Sequence, residues 1–233
     1  MIEHVYRRAA AAPSVGAVVV ATDDERIVQA VEAFGGIAWM TDPAHRSGSD
    51  RLAEVAADLT SSIVINVQGD EPLIEPAMIE EALAPLVADA SLVLSTLRRR
   101  IVDPAEWADP NVVKVVVNRE GFALYFSRAP LPFLRQAARP SPAAPGPEAL
   151  EAVAPDAGPW KHIGLYVFRR AFLLRFASLP PAPLEQAESL EQLRALEHGY
   201  RIKTVETAAD SIGVDTPADL QRVRRLLAAG GHR

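Results

Sequence analysis

Residues 63–74 read IVINVQGDEPLI, and this stretch decides the fold. Ile63, Val64, Ile65 and Val67 are β-branched, so the run reads as a buried strand ended by turn residues. Gly69 lets a ligand or backbone approach closely. Asp70 and Glu71 then place two carboxylates on the corner, and Pro72 fixes the exit. A strand apolar on both faces belongs in a sheet covered by helices. In open sheets of that kind, ligands bind outside the carboxyl ends of the strands. The acidic corner is therefore expected to face a ligand crevice.

Working outward, helices and strands alternate through the first ninety residues. A helix over 1–12 precedes a β-branched run at 15–21. DDERIVQAVEAFGG reads as a helix stopped by Gly35 and Gly36, and IAWM as a short strand. SGSDRLAEVAADL opens with Ser47 and Asp50 at capping-box spacing. After the acidic corner a helix runs from Pro76 to Val87. Three strand-like runs follow, SLVLSTLRR, NVVKVVVN and FALYFSR, the last two joined by a hairpin turn at NREG. Residues 136–159 are rich in Pro and Ala and read as a surface loop. HIGLYVFRR is a further strand, PLEQAESLEQLRALEHGY a single helix, RIKTVET a last strand, and a helix follows Thr216 and Pro217. The expected fold is α/β, a doubly wound, mostly parallel sheet with a smaller mixed or antiparallel subregion, in one domain spanning 1–233.

Composition narrows the chemistry. The formal net charge is −6 and RRR at 98–100 is the longest basic run, so no nucleic-acid-binding face is expected. The chain has no cysteine, which excludes disulfides, thiolate metal sites and a cysteine nucleophile. A reducing cytoplasm suits this. No apolar run has the ~18 residues of a spanning helix, so no membrane segment is expected. Glu3 and Pro13 argue against a signal peptide at the front. There is no Ser-His-Asp pattern, no HExxH and no GxxxxGK[ST].

Candidate residues each carry two readings. Asp70 is placed to hold a hard cation such as magnesium, which takes one or two carboxylates plus substrate phosphates. It also suits a turn carboxylate bonded to nearby amides. Asp215, in GVDTPADL, follows a strand and precedes a helix, so it is a second metal ligand or a helix cap. Arg51 sits in a first helical turn, poorly placed for the dipole, which hints at a nearby anion. His162 and Tyr166 share one side of a strand, either packed or lining a site. Glu188 and Glu191 are three apart on a helix, a solvated acidic face by default.

Taken in order, VVVATDDERI, HRSGSDRLAEV, IVINVQGDEPLI, NVVKVV, ALYFSRAPLPF, HIGLYVFR, PLEQAESLEQLRALEHGYRI and GVDTPADLQRV resemble the 3-deoxy-manno-octulosonate (Kdo) cytidylyltransferase family. They span nearly the whole chain. The resemblance implies a nucleotidyltransferase-type fold and CMP transfer from CTP to the anomeric hydroxyl of Kdo, releasing pyrophosphate for lipopolysaccharide synthesis. It implies that Asp70 and Asp215 bind Mg2+ and are the catalytic pair. Gln68, with Ser49 and Arg51 of the HRSGSDR segment, falls in the nucleotide and sugar pocket. His162, Tyr166, Glu191 and Gln192 become sugar-side contacts. A homodimer through the YFSRAPLPF region is implied as well. Ser49 and Asp50 stand where the family usually has Thr and Glu. Family members begin with a strand and a basic, glycine-containing phosphate loop, whereas MIEHVYRRA matches the helix after it. A piece on the order of two dozen residues is therefore expected to be missing. An inactive sugar- or nucleotide-binding remnant, a cytidylyltransferase for another acidic sugar, and a metal-dependent hydrolase are the competing readings.

Overall fold

The computed structural model describes residues 1–45, 47–135, 150, 153, 157–214 and 216–230. The acidic corner sits where expected. Strand β3 (Ile63–Asn66) ends three residues before Gly69, and helix α4 (Pro76–Ala88) starts soon after with Pro76 in its first turn. Before them come α1 (Ile2–Ala10), β1 (Val20–Thr22), α2 (Glu25–Ala33), β2 (Ala38–Met40) and α3 (Gly48–Asp58). After them come β4 (Leu94–Arg100), α5 (Pro104–Ala108), β5 (Lys114–Val117), β6 (Ala123–Ser127) and β7 (Trp160–Arg169). Helices α6 (Arg170–Ser178), α7 (Pro183–Glu188) and α8 (Gln192–Glu197), strand β8 (Lys203–Glu206) and helix α9 (Pro217–Gly230) complete the described chain. The expected Pro/Ala-rich loop lies almost entirely outside the described residues.

The strands form two sheets. β1 and β2 pair in parallel, and only the last part of the expected 15–21 strand reaches this ladder. The larger sheet runs β6-β5-β7-β4-β8, with β3 also on β7. The α/β class holds, yet the antiparallel share is larger than a small subregion. β7 runs antiparallel to β3, β4 and β5, while β4 and β8 are parallel. The physical reason is the place of β7: this ten-residue strand lies between β3 and β4, two strands that point the same way across helix α4. Alternation of helix and strand in the sequence predicts their direction but not the strand inserted between them.

Side chains alternate across β7. Trp160, Tyr166 and Phe168 join a core with Val64, Phe172 and Phe176 under α3, α6 and α8. Ile163, Leu165 and Val167 join a second core under α4 with Ile74, Met78 and Ile79. Both faces are covered, which is why these strands are apolar throughout.

PLEQAESLEQLRALEHGY is not one helix. It breaks between α7 and α8 at Ser189, which adopts the left-handed conformation with φ 53°. Local pulls explain the break. The Glu188 carboxylate accepts from Ser127 Oγ at 2.6 Å and from the Arg128 N–H at 3.0 Å, fastening the end of α7 to β6. Leu190, two residues on, is buried in the core. The break separates Glu188 from Glu191 and turns Glu191 toward α3.

Candidate active site

The N-terminus of α3 forms one wall of the site. Ser47 caps the helix, its Oγ accepting the Asp50 N–H at 3.2 Å. With the cap filled, Ser49 turns inward. Its Oγ donates to Glu191 Oε1 at 2.8 Å and its N–H to Oε2 at 3.3 Å. A carboxylate across a helix N-terminus is favoured by the helix dipole. Opposite, the Gln68 amide lies against Gly48, where a Cβ would stand 3.6 Å from Gln68 Oε1. Gly48, Gln68, Glu185, Glu191 and Arg194 line a cavity of about 570 Å³. That volume suits a small polar ligand.

Next to Gln68 lies the middle of β7. The ladder slips there, with Thr96 opposite Tyr166 but Leu97 opposite Ile163, so Gly164 and Leu165 are extra residues on β7. Gly164 leaves room for its neighbours: a Cβ there would sit 3.5 Å from Glu71 Oε1 and 3.9 Å from Gln68 Cγ. His162 and Tyr166 flank the bulge with ring centroids 5.4 Å apart, and His162 also meets Phe126 edge-on. Burial pushes the Tyr166 hydroxyl well above its ordinary pKa, and the Glu191 and Glu71 charges add to the effect. Tyr166 therefore stays a neutral donor and acceptor. Asn66, directly opposite Tyr166 on β3, is 8% exposed and its Nδ2 has no partner among the described residues. The Gln192 Nε2 is a second buried donor of this kind.

Burial lowers the His162 pKa from 6.5 to about 3. The unfolded chain binds a proton below pH 6.5 that the folded chain refuses until about pH 3. Stability therefore falls as pH falls through that window, by about 1.4 kcal/mol per pH unit at the steepest. A His162→Gln variant is expected to lose less stability across the same window than the parent chain. Equal slopes in urea titrations at several acidic pH values would contradict the buried neutral imidazole.

The corner itself is held by backbone. The Glu71 N–H donates to Gln68 O at 3.2 Å, and the Ile74 N–H to Glu71 O at 3.2 Å. Asp70 O accepts the Val214 N–H at 2.9 Å, tying the segment that leads to residue 215 onto the corner. Burial pushes the Glu71 carboxyl above its usual range, with the Asp70 charge contributing. Asp215 lies outside the described residues. Thr216 fills the capping position that the sequence left open for Asp215: its Oγ1 accepts the Asp219 N–H at 3.2 Å, and Asp219 Oδ2 accepts the Thr216 N–H at 2.9 Å. Arg51 is not part of the cavity lining. It donates to Thr41 Oγ1 and, at 2.9 Å, to Asp23 Oδ2, so its anion in this structure is a carboxylate beside β1.

Among the described residues no three His, Cys, Asp or Glu side chains cluster as a metal site. Magnesium does not need such a cage, since one or two carboxylates and the substrate's phosphates satisfy it. A half-buried Asp70 at the carboxyl end of β3, all-oxygen in character, fits that donor set.

Of the residues the resemblance named, Gln68 and Glu191 line the cavity, Ser49 bonds to Glu191, and His162 and Tyr166 meet on β7; three features of this region were not anticipated. Asn66 passed as part of an apolar strand, although an amide in such a strand is itself a signal. Thr96 gave no signal before the β7 register was known. Buried Arg194, with its half-buried partners Glu185 and Asp50, was hidden by the one-helix reading.

The fold is the mixed α/β type of the nucleotidyltransferases. The same fold recurs at 14% identity and a TM-score of 0.56 in a putative glucose-1-phosphate thymidylyltransferase from Bacillus anthracis, covering 97% of this chain and 81% of that one. The cytidylyltransferase profile matches residues 1–203. A 3-deoxy-manno-octulosonate cytidylyltransferase of Geobacter metallireducens is 57% identical over 231 residues, 98% of this chain and 87% of that protein. Its namesake from Solibacter usitatus is 49% identical over 98% of this chain and 84% of that protein. A solved CMP:2-keto-3-deoxy-manno-octonic acid synthetase complexed with CTP is 47% identical, with a TM-score of 0.86 over 98% of this chain and 87% of that one. The chain belongs to the 3-deoxy-manno-octulosonate cytidylyltransferase family.

Proposed function

We propose that this protein transfers CMP from CTP to the anomeric hydroxyl of Kdo and releases pyrophosphate. The reading is supported by family membership and by a cavity lined by Gln68 and Glu191, with Ser49 bonded to Glu191 and the β7 bulge at Gly164 close to Gln68 and Glu71. The sugar oxygen attacks the α-phosphorus, the bond from that phosphorus to the bridging oxygen breaks, and pyrophosphate leaves in line. The hydroxyl proton passes to solvent water as the new bond forms. Asp70 and Asp215 would hold Mg2+, which neutralises phosphate charge and lowers the hydroxyl pKa when bound. The chain's own part is positioning. Tyr166 and His162 are neutral groups suited to hydroxyls, and buried amide donors on Asn66 and Gln192 suit a carboxylate. The family relationship and the absence of cysteine support a cytoplasmic homodimer, and Phe133 in the YFSRAPLPF region is exposed enough to contribute to such an interface.

The test is pyrophosphate release from CTP and Mg2+ with and without Kdo. Release that requires Kdo supports the assignment. Release without any sugar acceptor makes the protein a hydrolase, and release with a different acidic sugar in place of Kdo reassigns the substrate. Sedimentation of the same sample reads the oligomeric state, and a monomer at assay concentration removes the dimer.

A further inference from the structure

Thr96 has little freedom in this site. It is fully buried at the middle of β4, beside the two extra residues of β7. Its Oγ1 lies 2.7 Å from Leu165 O, 3.1 Å from Ile163 O and 2.9 Å from His162 Nε2. A hydroxyl has one proton to give, and carbonyl oxygens can only accept. If that proton went to His162, two carbonyl oxygens would face the Thr96 lone pairs with no hydrogen between them, sealed from water. The cost of such unmet acceptors sends the proton to the Leu165 carbonyl. His162 Nε2 must then carry its own proton and donate to Oγ1.

The imidazole is neutral, so it holds one proton and no more. Nδ1 is therefore a bare acceptor. It makes no hydrogen bond among the described residues, while the residue keeps 8% of its surface exposed beside Tyr166. We propose that Thr96 is a positioning residue that fixes His162 as its Nε2–H tautomer, so that the ring offers the substrate a lone pair and no donor. This rests on reading the site as the acidic sugar's pocket. The group that docks on Nδ1 is then a sugar hydroxyl, and the sugar's carboxylate is excluded from that position. The unpartnered amide donors of Asn66 and Gln192 are the groups left to receive it.

Nitrogen NMR of isotope-labelled histidine in the ligand-free protein reads the tautomer directly. The expected spectrum shows a protonated Nε2 and an unprotonated Nδ1 for His162, unchanged in Thr96→Ser. Thr96→Val is expected to mix the tautomers and raise the KM for Kdo about tenfold, with the KM for CTP unchanged. A protonated Nδ1 in the parent chain overturns the proposal, as does an equal rise in both KM values or a serine variant that behaves like valine. If the valine variant does not fold, the parent and serine spectra still decide. A parent chain with no Kdo-dependent turnover refutes the sugar assignment instead, and leaves the ring-nitrogen result standing on its own.

Discussion

Asp70→Asn is expected to cut turnover by about a thousandfold or more while the melting temperature moves by no more than a few degrees. The two side chains are nearly the same size, so the corner survives the change. Backbone bonds at Gln68, Glu71 and Ile74 and the Val214 N–H on the Asp70 carbonyl remain available after the change. What is lost is one negative charge at the carboxyl end of β3. A cation that neutralises transferring phosphate is worth several kcal/mol in the transition state. About 4 kcal/mol corresponds to a thousandfold in rate. The measurement is kcat at saturating CTP and Kdo, together with a thermal melt. Turnover within about tenfold of the parent would remove Asp70 from the metal-binding role. A parallel collapse of melting temperature would make it a structural carboxylate.

How far the sequence reached can be read from individual residues. The acidic corner was legible because strand, glycine, two acids and proline are adjacent, and adjacency is what local rules describe. Ser47 as a cap was legible for the same reason. The Ser49–Glu191 contact spans 142 positions, so no local pattern describes it, and the resemblance named both residues without pairing them. The break at Ser189 was invisible because serine carries no signal for a left-handed residue. It arises from tertiary pulls on Glu188 and Leu190 that override a good helical pattern. The antiparallel course of β7 was hidden likewise, since its partners β3, β4 and β5 lie far from it in sequence and local rules do not describe that pairing. Arg51 shows the reverse case. Its unfavourable place near a helix N-terminus did signal an anion, and the structure supplies Asp23.

Arg194→Met is expected to destabilise the fold by about 3–5 kcal/mol, the usual cost of breaking a buried ion pair from one side. The Arg194 side chain is 5% exposed and sits between two carboxylates. Its Nε and Nη2 fork onto Glu185 at 2.5–3.0 Å, its Nη1 reaches Asp50 at 3.2 Å, and its guanidinium lies 4.9 Å from the Phe176 ring centre. Burial alone would raise the Glu185 carboxyl, but the bonds from Arg194 hold it below its ordinary value. One planar cation thus joins α7, α8 and the first turn of α3, the three pieces that bring Glu191 to Ser49. Methionine fills part of the volume and leaves both acids without their shared cation. Lysine keeps a charge but not the fork, so Arg194→Lys should fall between the two. Urea unfolding measures each variant. Adding Glu185→Gln to Arg194→Met should recover part of the loss, because it removes one of the stranded charges. A single-variant loss below about 1 kcal/mol, or no recovery in the double variant, would mean that the helix junction is held by its apolar contacts alone and that the ion triad is incidental to it.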